Sequence, residues 1–221
     1  GAALWLHAAT VMGLPVSTTH SIVGAIVGFG LVAKGVGGLN GWTLASIVMS
    51  WIVSPVAGGL LGFGIFYFVR ENILTAREPN EACRYYAPYI LFVFTVVFIQ
   101  SFIFKGIKNL KLPLDFWGVL LAGVLIGVAV FFVSRYWIAA RHGDSDTFSD
   151  RFFTFLLVST CGYVAFAHGA NDVANAVGPL AAVMGVWQSG AITVEVAVPW
   201  WVLVLGGSGI VAGLAISGWK V

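Results

Sequence analysis

The chain has 221 residues, of which 59% are hydrophobic and 9% are charged, with a formal net charge of +2. Soluble domains carry about 25% charged residues, so this composition excludes a folded domain whose whole surface faces water. A nucleic-acid-binding module is also excluded, because the sequence has no basic run interleaved with aromatic residues.

Long apolar runs alternate with short polar ones, and this pattern predicts an all-α, polytopic bundle of transmembrane helices. The first apolar run, residues 1–12, is shorter than the roughly 20 residues that one crossing needs. A second helix is predicted over residues 17–33. Longer spans are predicted at residues 42–68, 87–104, 116–138, 152–187 and 199–217, with polar stretches at 70–84, 141–146 and 188–195.

Small residues and cysteines add two expectations. Glycine is abundant, at 28 residues, which is typical of closely packed membrane helices, and Gly123 and Gly127 are spaced for such packing. Cys83 and Cys161 form no C-x-x-C pair, so neither a metal knuckle nor a disulfide framework is indicated.

A hydroxyl-rich motif follows the first apolar run. After Pro15 the sequence places Ser17, Thr18 and Thr19 at a predicted helix start, with His20 next. Free backbone N–H groups at a helix N-terminus together with hydroxyl donors make an anion-binding site that needs no positive side chain. The alternative is an ordinary N-cap at the membrane surface, and this motif alone leaves both interpretations open.

A second polar motif lies in the run 152–187, where Asp172 is the only charged residue. An ionised carboxylate inside a membrane span costs at least about 2.5 kcal/mol, so it indicates a functional site. No Lys or Arg lies in the same apolar segment, and the acid therefore needs a cation or a proton as its partner.

The glycine before this acid is expected to break the helix. We predict that Gly169 ends one helical segment and that Asn171 or Asp172 caps the next. Asn175 would share their face, so that three oxygen-bearing side chains converge at a helix N-terminus inside the membrane.

Two interrupted hydrophobic segments with polar residues at the helix ends are typical of secondary transporters. We expect an anion against the hydroxyls of the first motif and a cation against Asp172 and the amide oxygens. His20 and His168 adjoin the two breaks, where each is either a packing residue or a contact for the anion or a proton.

The two motifs resemble the signatures of the inorganic phosphate transporter family. Residues 169–176 read GANDVANA and are followed by GPLAA at 178–182, while residues 13–25 read GLPVSTTHSIVGA. The segments SWIVSP at 50–55 and KGIKNL at 105–110 are also similar to the family, so the resemblance covers essentially the whole chain.

This resemblance implies secondary active transport of inorganic phosphate, symported with a cation, H⁺ or Na⁺. It assigns phosphate contacts to Ser17, Thr18, Thr19 and Asn171, and cation coupling to Asp172, Asn175 and Asn171. It implies no enzyme activity, no cofactor and no metal beyond the coupling cation. The expected partners are phosphate, free or as a metal complex, the lipid bilayer and a second subunit in a homodimer.

The family has two inverted repeats, each with one motif of either kind, whereas this sequence has one of each. We therefore expect a central portion of the family architecture. Residues 1–69 would end the first repeat, residues 70–150 would be connecting spans and polar linkers, and residues 151–221 would start the second repeat. The expected location is the cell (inner) membrane.

Two rival functions differ in class. An intramembrane hydrolase would carry a His-Glu-x-x-His zinc motif or a Gly-x-Ser-x-Gly nucleophile turn, and the sequence contains neither. An anion channel would share the polar site, but it would lack saturable, ion-coupled uptake.

Overall fold

The computed structural model describes residues 1–106, 115–140, 147–190 and 198–220; within these ranges the chain is helical and has no β-strand. The predicted all-α fold is confirmed. The predicted loop at 141–146 and most of the predicted turn at 188–195 lie outside the described residues. The helices of the described ranges are α1 (Ala2–Val11), α2 (Thr18–Lys34), α3 (Gly41–Val69), α4 (Pro79–Ser101), α5 (Phe116–Ala140), α6 (Phe148–Ser189) and α7 (Trp200–Ser217).

Within the described ranges, five helical segments are long and apolar enough to cross a membrane. Each corresponds to a span predicted from the apolar runs of the sequence. A helix pairs its own backbone N–H and C=O groups, and lipid offers no other hydrogen-bonding partner for them. Part of the polar stretch 70–84 is helical as well, since a π-helical segment, Arg70–Leu74, extends α3. The five segments are Gly41–Leu74, Pro79–Phe104, Phe116–Ala140, Phe148–Ser189 and Trp200–Ser217.

The chain is interrupted between α1 and α2, as the sequence predicts. Gly13 adopts a left-handed conformation with φ +68°. Its N–H donates to the carbonyl of Thr10 at 3.2 Å, and the N–H of Leu14 donates to that of Ala9 at 2.9 Å. This pair of bonds is the Schellman end of a helix, which strongly favours glycine at the left-handed position.

The second predicted break is wrong. The helix α6 runs without interruption from Phe148 to Ser189, through both Gly169 and Pro179. A single glycine costs a helix only about 1 kcal/mol, and in an apolar environment the cost of unpaired backbone groups at a break is several times larger. Asp172 therefore lies inside a continuous helix and does not cap a new one.

The described residues divide into two compact units. The first unit consists of Gly1–Met49 and His168–Val221, and the second is Ser50–Ala167. The divisions fall within α3 and α6. Because these units follow spatial contacts, they do not test the predicted division into repeats at 1–69, 70–150 and 151–221, which stays a prediction.

In the second unit, α4 packs closely on α5. The backbone of Val96 lies within 3.6–3.7 Å of the position that a Cβ on Gly123 would take, and the ring of Phe92 lies 2.9 Å from that on Gly127. Both glycines are buried. The predicted close packing at this glycine pair is confirmed, since a larger side chain at either position would separate the helices.

In the first unit, α7 packs against the C-terminal half of α6. Val177 and Ala181 of α6 and Val202 of α7 are almost fully buried. A Cβ added to Gly206 would lie 2.5 Å from Cγ1 of Val177, so the glycine leaves the room that the Val177 side chain occupies. This contact begins two residues beyond Asn175 and supports the part of α6 that carries the polar motif.

Candidate functional site

One face of α6 meets the first turn of α2 within the first unit. His168, Asp172 and Asn175 occupy positions i, i+4 and i+7 of α6, so they project from the same side of the helix. Thr18 and Thr19 are the first two residues of α2. We call these five residues the polar cluster.

A hydroxyl–carboxylate hydrogen bond joins the two sequence motifs. Oγ1 of Thr18 donates to Oδ1 of Asp172 at 2.9 Å, although the residues are 154 positions apart. The side chain of Asp172 is only 19% exposed. A hydrogen bond to an ionised acceptor is roughly twice as strong as a neutral one, so this contact holds the start of α2 against α6.

The amide of Asn175 makes the second link between the helices. Its Nδ2 donates to Oγ1 of Thr19 at 2.8 Å and lies 3.4 Å from Oδ1 of Asp172. An amide nitrogen is a donor only, and both neighbours have oxygens that accept. Thr19 therefore accepts a hydrogen bond, whereas Thr18 donates one.

The other carboxylate oxygen contacts a histidine. Nε2 of His168 lies 2.9 Å from Oδ2 of Asp172, one helical turn away. A neutral imidazole protonated on Nε2 donates here, and so does an imidazolium. The His168 side chain is 75% exposed, whereas that of Asp172 is 19% exposed.

Hydroxyl, amide and imidazole donors thus surround the carboxylate of Asp172. Within the described part of the chain, no lysine or arginine lies within 4.0 Å of it. Neutral donors stabilise a buried carboxylate but do not cancel its charge. The cluster therefore combines a partly buried negative charge with oxygen atoms that a cation can use as ligands.

Comparison with known proteins decides the family. The sequence profile of the phosphate transporter family matches residues 1–221, which is the whole chain. The chain belongs to the phosphate transporter family. It is accordingly an integral membrane protein of a transporter family, in agreement with its membrane-spanning helices.

Individual relatives agree with this assignment. Two curated relatives are named "Putative phosphate permease": that of Pyrococcus abyssi is 41% identical over 100% of this chain and 54% of its own length. That of Haemophilus influenzae is 37% identical over 98% of this chain and 53% of its own length. A solved structure described as "The sodium-dependent phosphate transporter" aligns with a TM-score of 0.80 and 38% identity, covering 96% of this chain and 53% of the other. This chain thus spans about half the length of these relatives.

Ser17 of this family member acts as the N-cap of α2. Its Oγ accepts a hydrogen bond from the backbone N–H of His20 at 3.3 Å, and the side chain is exposed. The helix-cap interpretation of Ser17 is therefore correct as local structure. It does not exclude anion binding, because Oγ keeps its own proton to donate.

Asn171 does not join the polar cluster. Its side chain is exposed and makes no hydrogen bond within the described ranges. The predicted convergence of three oxygen-bearing side chains is therefore wrong for Asn171, which lies about 100° around the helix from Asp172. The convergence holds for Asp172 and Asn175. The predicted ligand contacts of Asn171 stay a prediction.

The pairing of His168 with Asp172 was not predicted. From the sequence, His168 is expected beside a helix break, as either a packing residue or a contact for the anion or a proton. The structure places it on the same continuous helix, four residues before the acid. The i,i+4 spacing was the available signal, and it is informative only when the helix is not interrupted.

Proposed function

We propose that these residues form part of a secondary transporter that carries inorganic phosphate across the cell membrane together with a cation. One observation carries the proposal: the first-turn hydroxyls of α2 and the membrane-embedded acid of α6 share one polar cluster. A symporter needs an anion site and a cation site close enough to influence each other, and hydroxyls next to a carboxylate meet this need.

Phosphate would bind at the start of α2. The first backbone N–H groups of a helix have no helical acceptor and carry a partial positive charge. Ser17, Thr18 and Thr19 add three hydroxyls at the same end. Such a site binds an oxyanion without lysine or arginine, and a low net positive charge helps release it on the other side of the membrane.

The cation would bind at Asp172. Hard monovalent cations prefer oxygen ligands, and the Thr18 hydroxyl oxygen lies beside the carboxylate. Asn175 presents its amide nitrogen to the carboxylate and would supply an oxygen ligand after its amide turns over. Asn171 is one turn before Asn175 and completes the set proposed from the sequence. We favour sodium over the proton because the aligned solved structure, 38% identical, is described as sodium-dependent.

The geometry of the cluster argues against hydrolysis. In a hydrolytic triad the hydroxyl contacts the histidine, and the histidine contacts the acid. Here Thr18 contacts the acid directly, while His168 bonds to the opposite carboxylate oxygen. His168 is therefore not placed to take a proton from Thr18, which supports a binding role and no enzyme activity.

The remaining partners follow from the same proposal. The chain requires the lipid bilayer as its solvent, needs no cofactor, and takes phosphate either free or as a metal complex. We also propose the division into repeats, with residues 1–69 ending the first repeat, 70–150 connecting, and 151–221 starting the second. A homodimer is the proposed assembly.

The test is uptake of radiolabelled phosphate by the intact protein reconstituted into liposomes. An inward sodium gradient at equal pH on both sides is expected to drive accumulation that saturates with phosphate concentration. An inward proton gradient in sodium-free choline buffer measures proton coupling separately. Uptake that does not saturate and follows only the phosphate gradient would indicate an anion channel instead.

A further inference from the structure

Thr18 and Thr19 are neighbours in the cluster, but their hydroxyl groups are used in opposite ways. Thr18 donates its proton to the carboxylate of Asp172 at 2.9 Å. Thr19 accepts from the amide of Asn175 at 2.8 Å, so its own proton is not used in that bond. A hydroxyl has a single proton, and Thr18 cannot donate to Asp172 and to an anion at the same time.

The lone pairs of the carboxylate are largely occupied. Oδ1 has Thr18 at 2.9 Å and Asn175 at 3.4 Å, and Oδ2 has His168 at 2.9 Å. A carboxylate offers about four acceptor positions, two on each oxygen. A cation that binds Oδ1 must therefore take the place of a donor, and Thr18 is the donor that lies on the separate helix α2.

A hydroxyl next to a cation turns its oxygen lone pairs toward the charge, because a proton pointed at a cation is repelled. The Thr18 proton then points away from Asp172. Thr18 lies in the first turn of α2, where the helix N-terminus favours an anion. The hydroxyl proton of Thr18, no longer bonded to the carboxylate, is thus available to an anion at the start of α2.

We propose that the Thr18 hydroxyl couples cation binding to phosphate binding: a cation at Asp172 releases the hydroxyl from the carboxylate, and the released hydroxyl donates to phosphate. This inference rests on the proposed function, because it requires that both ions bind at the cluster. It adds a specific atom that makes each ion raise the affinity for the other. Such coupling is reciprocal by thermodynamic necessity.

The coupling is measured as a ratio of affinities. Binding of radiolabelled phosphate to the intact purified protein is titrated in sodium chloride and in choline chloride at one pH. The coupling factor is the dissociation constant in choline chloride divided by that in sodium chloride. Thr18→Val removes the hydroxyl and keeps the shape. It is expected to lower the coupling factor at least about tenfold, since a hydrogen bond to a charged group contributes that much.

The loss should be larger in one salt than in the other. Thr18→Val should weaken phosphate binding more in sodium chloride than in choline chloride, because without sodium the wild-type hydroxyl is already engaged with Asp172. Thr18→Ser should restore the coupling factor, since serine supplies the same donor. Thr19→Val should weaken phosphate binding in both salts, because the Thr19 proton is not held by Asp172.

Matched variants separate this role from a structural one. Thr95→Val also removes one hydroxyl from a membrane helix, where it bonds to the carbonyl of Leu91 at 2.7 Å, and it should leave the coupling factor unchanged. Equal loss of phosphate affinity in both salts for Thr18→Val would overturn the inference and make Thr18 a positioning residue only.

Failure of the inference differs from failure of the proposed function. A wild-type coupling factor above one that Thr18→Val retains in full would overturn the role of the hydroxyl alone, and coupling would then arise from cancellation of charge. Absence of phosphate binding by the wild-type protein, or binding independent of sodium, would overturn sodium-coupled phosphate transport and this inference with it.

Discussion

Asp172 has the same shape as asparagine but carries a charge, so Asp172→Asn tests the charge alone. The asparagine oxygen still accepts from Thr18, and we expect the protein to fold. Sodium-driven uptake should fall at least about tenfold, because a charged ligand of the cation is lost. The measurement is the initial rate of radiolabelled phosphate uptake, with the melting temperature of the purified protein as a folding check.

The matched control is Asp115→Asn at the start of α5. Asp115 accepts from the N–H of Gly118 at 3.2 Å, and asparagine caps a helix as well as aspartate does. Uptake by this variant should equal that of the wild-type protein. If Asp172→Asn retained full sodium-driven uptake, the assignment of the cation site to Asp172 would be wrong.

His168 also contacts the acid, but it is one of three donors around the carboxylate, and Thr18 and Asn175 remain when the imidazole is removed. We expect His168→Ala to lower sodium-driven uptake by less than about fivefold, a much smaller loss than that of Asp172→Asn. The same uptake assay compares the two variants at saturating sodium. A loss as large as that of Asp172→Asn would place His168 among the groups that contact a transported ion.

At the scale of single elements, Gly13 determines where α1 ends. Its φ of +68° is unfavourable for any residue with a Cβ, even though the surrounding space is open. Gly13→Ala should therefore destabilise the protein by about 1 kcal/mol. Gly24→Ala, inside α2 with equally open space, is the control and should be neutral or stabilising. Melting temperatures in detergent decide the outcome, and equal values for both variants would contradict the role of Gly13.

The contact of α6 with α7 gives a second test. Gly206→Ala places a Cβ 2.5 Å from Cγ1 of Val177 and should cost about 1–3 kcal/mol by overpacking. Gly207→Ala has no atom within 4 Å of the new Cβ and should cost little. Adding Val177→Ala to Gly206→Ala should recover stability relative to the sum of the single changes. Strict additivity in denaturation experiments would argue that these helices do not meet at Gly206.

The helices themselves could be predicted from the sequence, because an apolar run long enough to cross a bilayer pairs all its backbone groups within the segment by forming a helix. The break after α1 was also predictable, since Gly13 and Pro15 each mark a helix boundary. Gly169 was misleading, because a glycine before an acid in a membrane span suggests a helix break with the acid at the new N-terminus. The hydrogen-bond donors to Asp172 instead come from Thr18, 154 residues away, and from two neighbours of Asp172 on α6.

For the whole molecule, the sequence predicts a membrane topology that can be measured directly: the loops around residues 70–84 and 135–151 carry six Lys/Arg, against four at positions 34, 105, 108 and 111. The helix α4 separates Arg77 from Asp115, so Arg77→Cys and Asp115→Cys should be labelled from opposite sides by a membrane-impermeant maleimide. Ala140→Cys follows one further span and should share the side of Arg77. The Lys/Arg distribution predicts that this shared side is cytoplasmic. The labelling is done with Cys83 and Cys161 replaced by alanine; labelling of all three positions from one side would contradict the two crossings.

The motifs predicted which residue types form the site, but not their partners. Hydroxyls at a helix start and a lone acid in a span are visible as local patterns. The bonds of Thr18 to Asp172 and of Thr19 to Asn175 depend on the relative position of α2 and α6, which a single sequence does not encode locally. Asn171 shows the same limit, because only the helix phase relative to α2 decides that it is left outside the cluster.

The proline within α6 has a consequence for the residue one turn before it. Pro179 has no N–H, so the main-chain carbonyl of Asn175 lacks the donor that an ordinary helix would supply. In a membrane such an oxygen must find water, a side chain or an ion. The residue whose amide nitrogen holds Thr19 therefore also carries a peptide oxygen without its usual helical donor, immediately after the turn that holds Asp172.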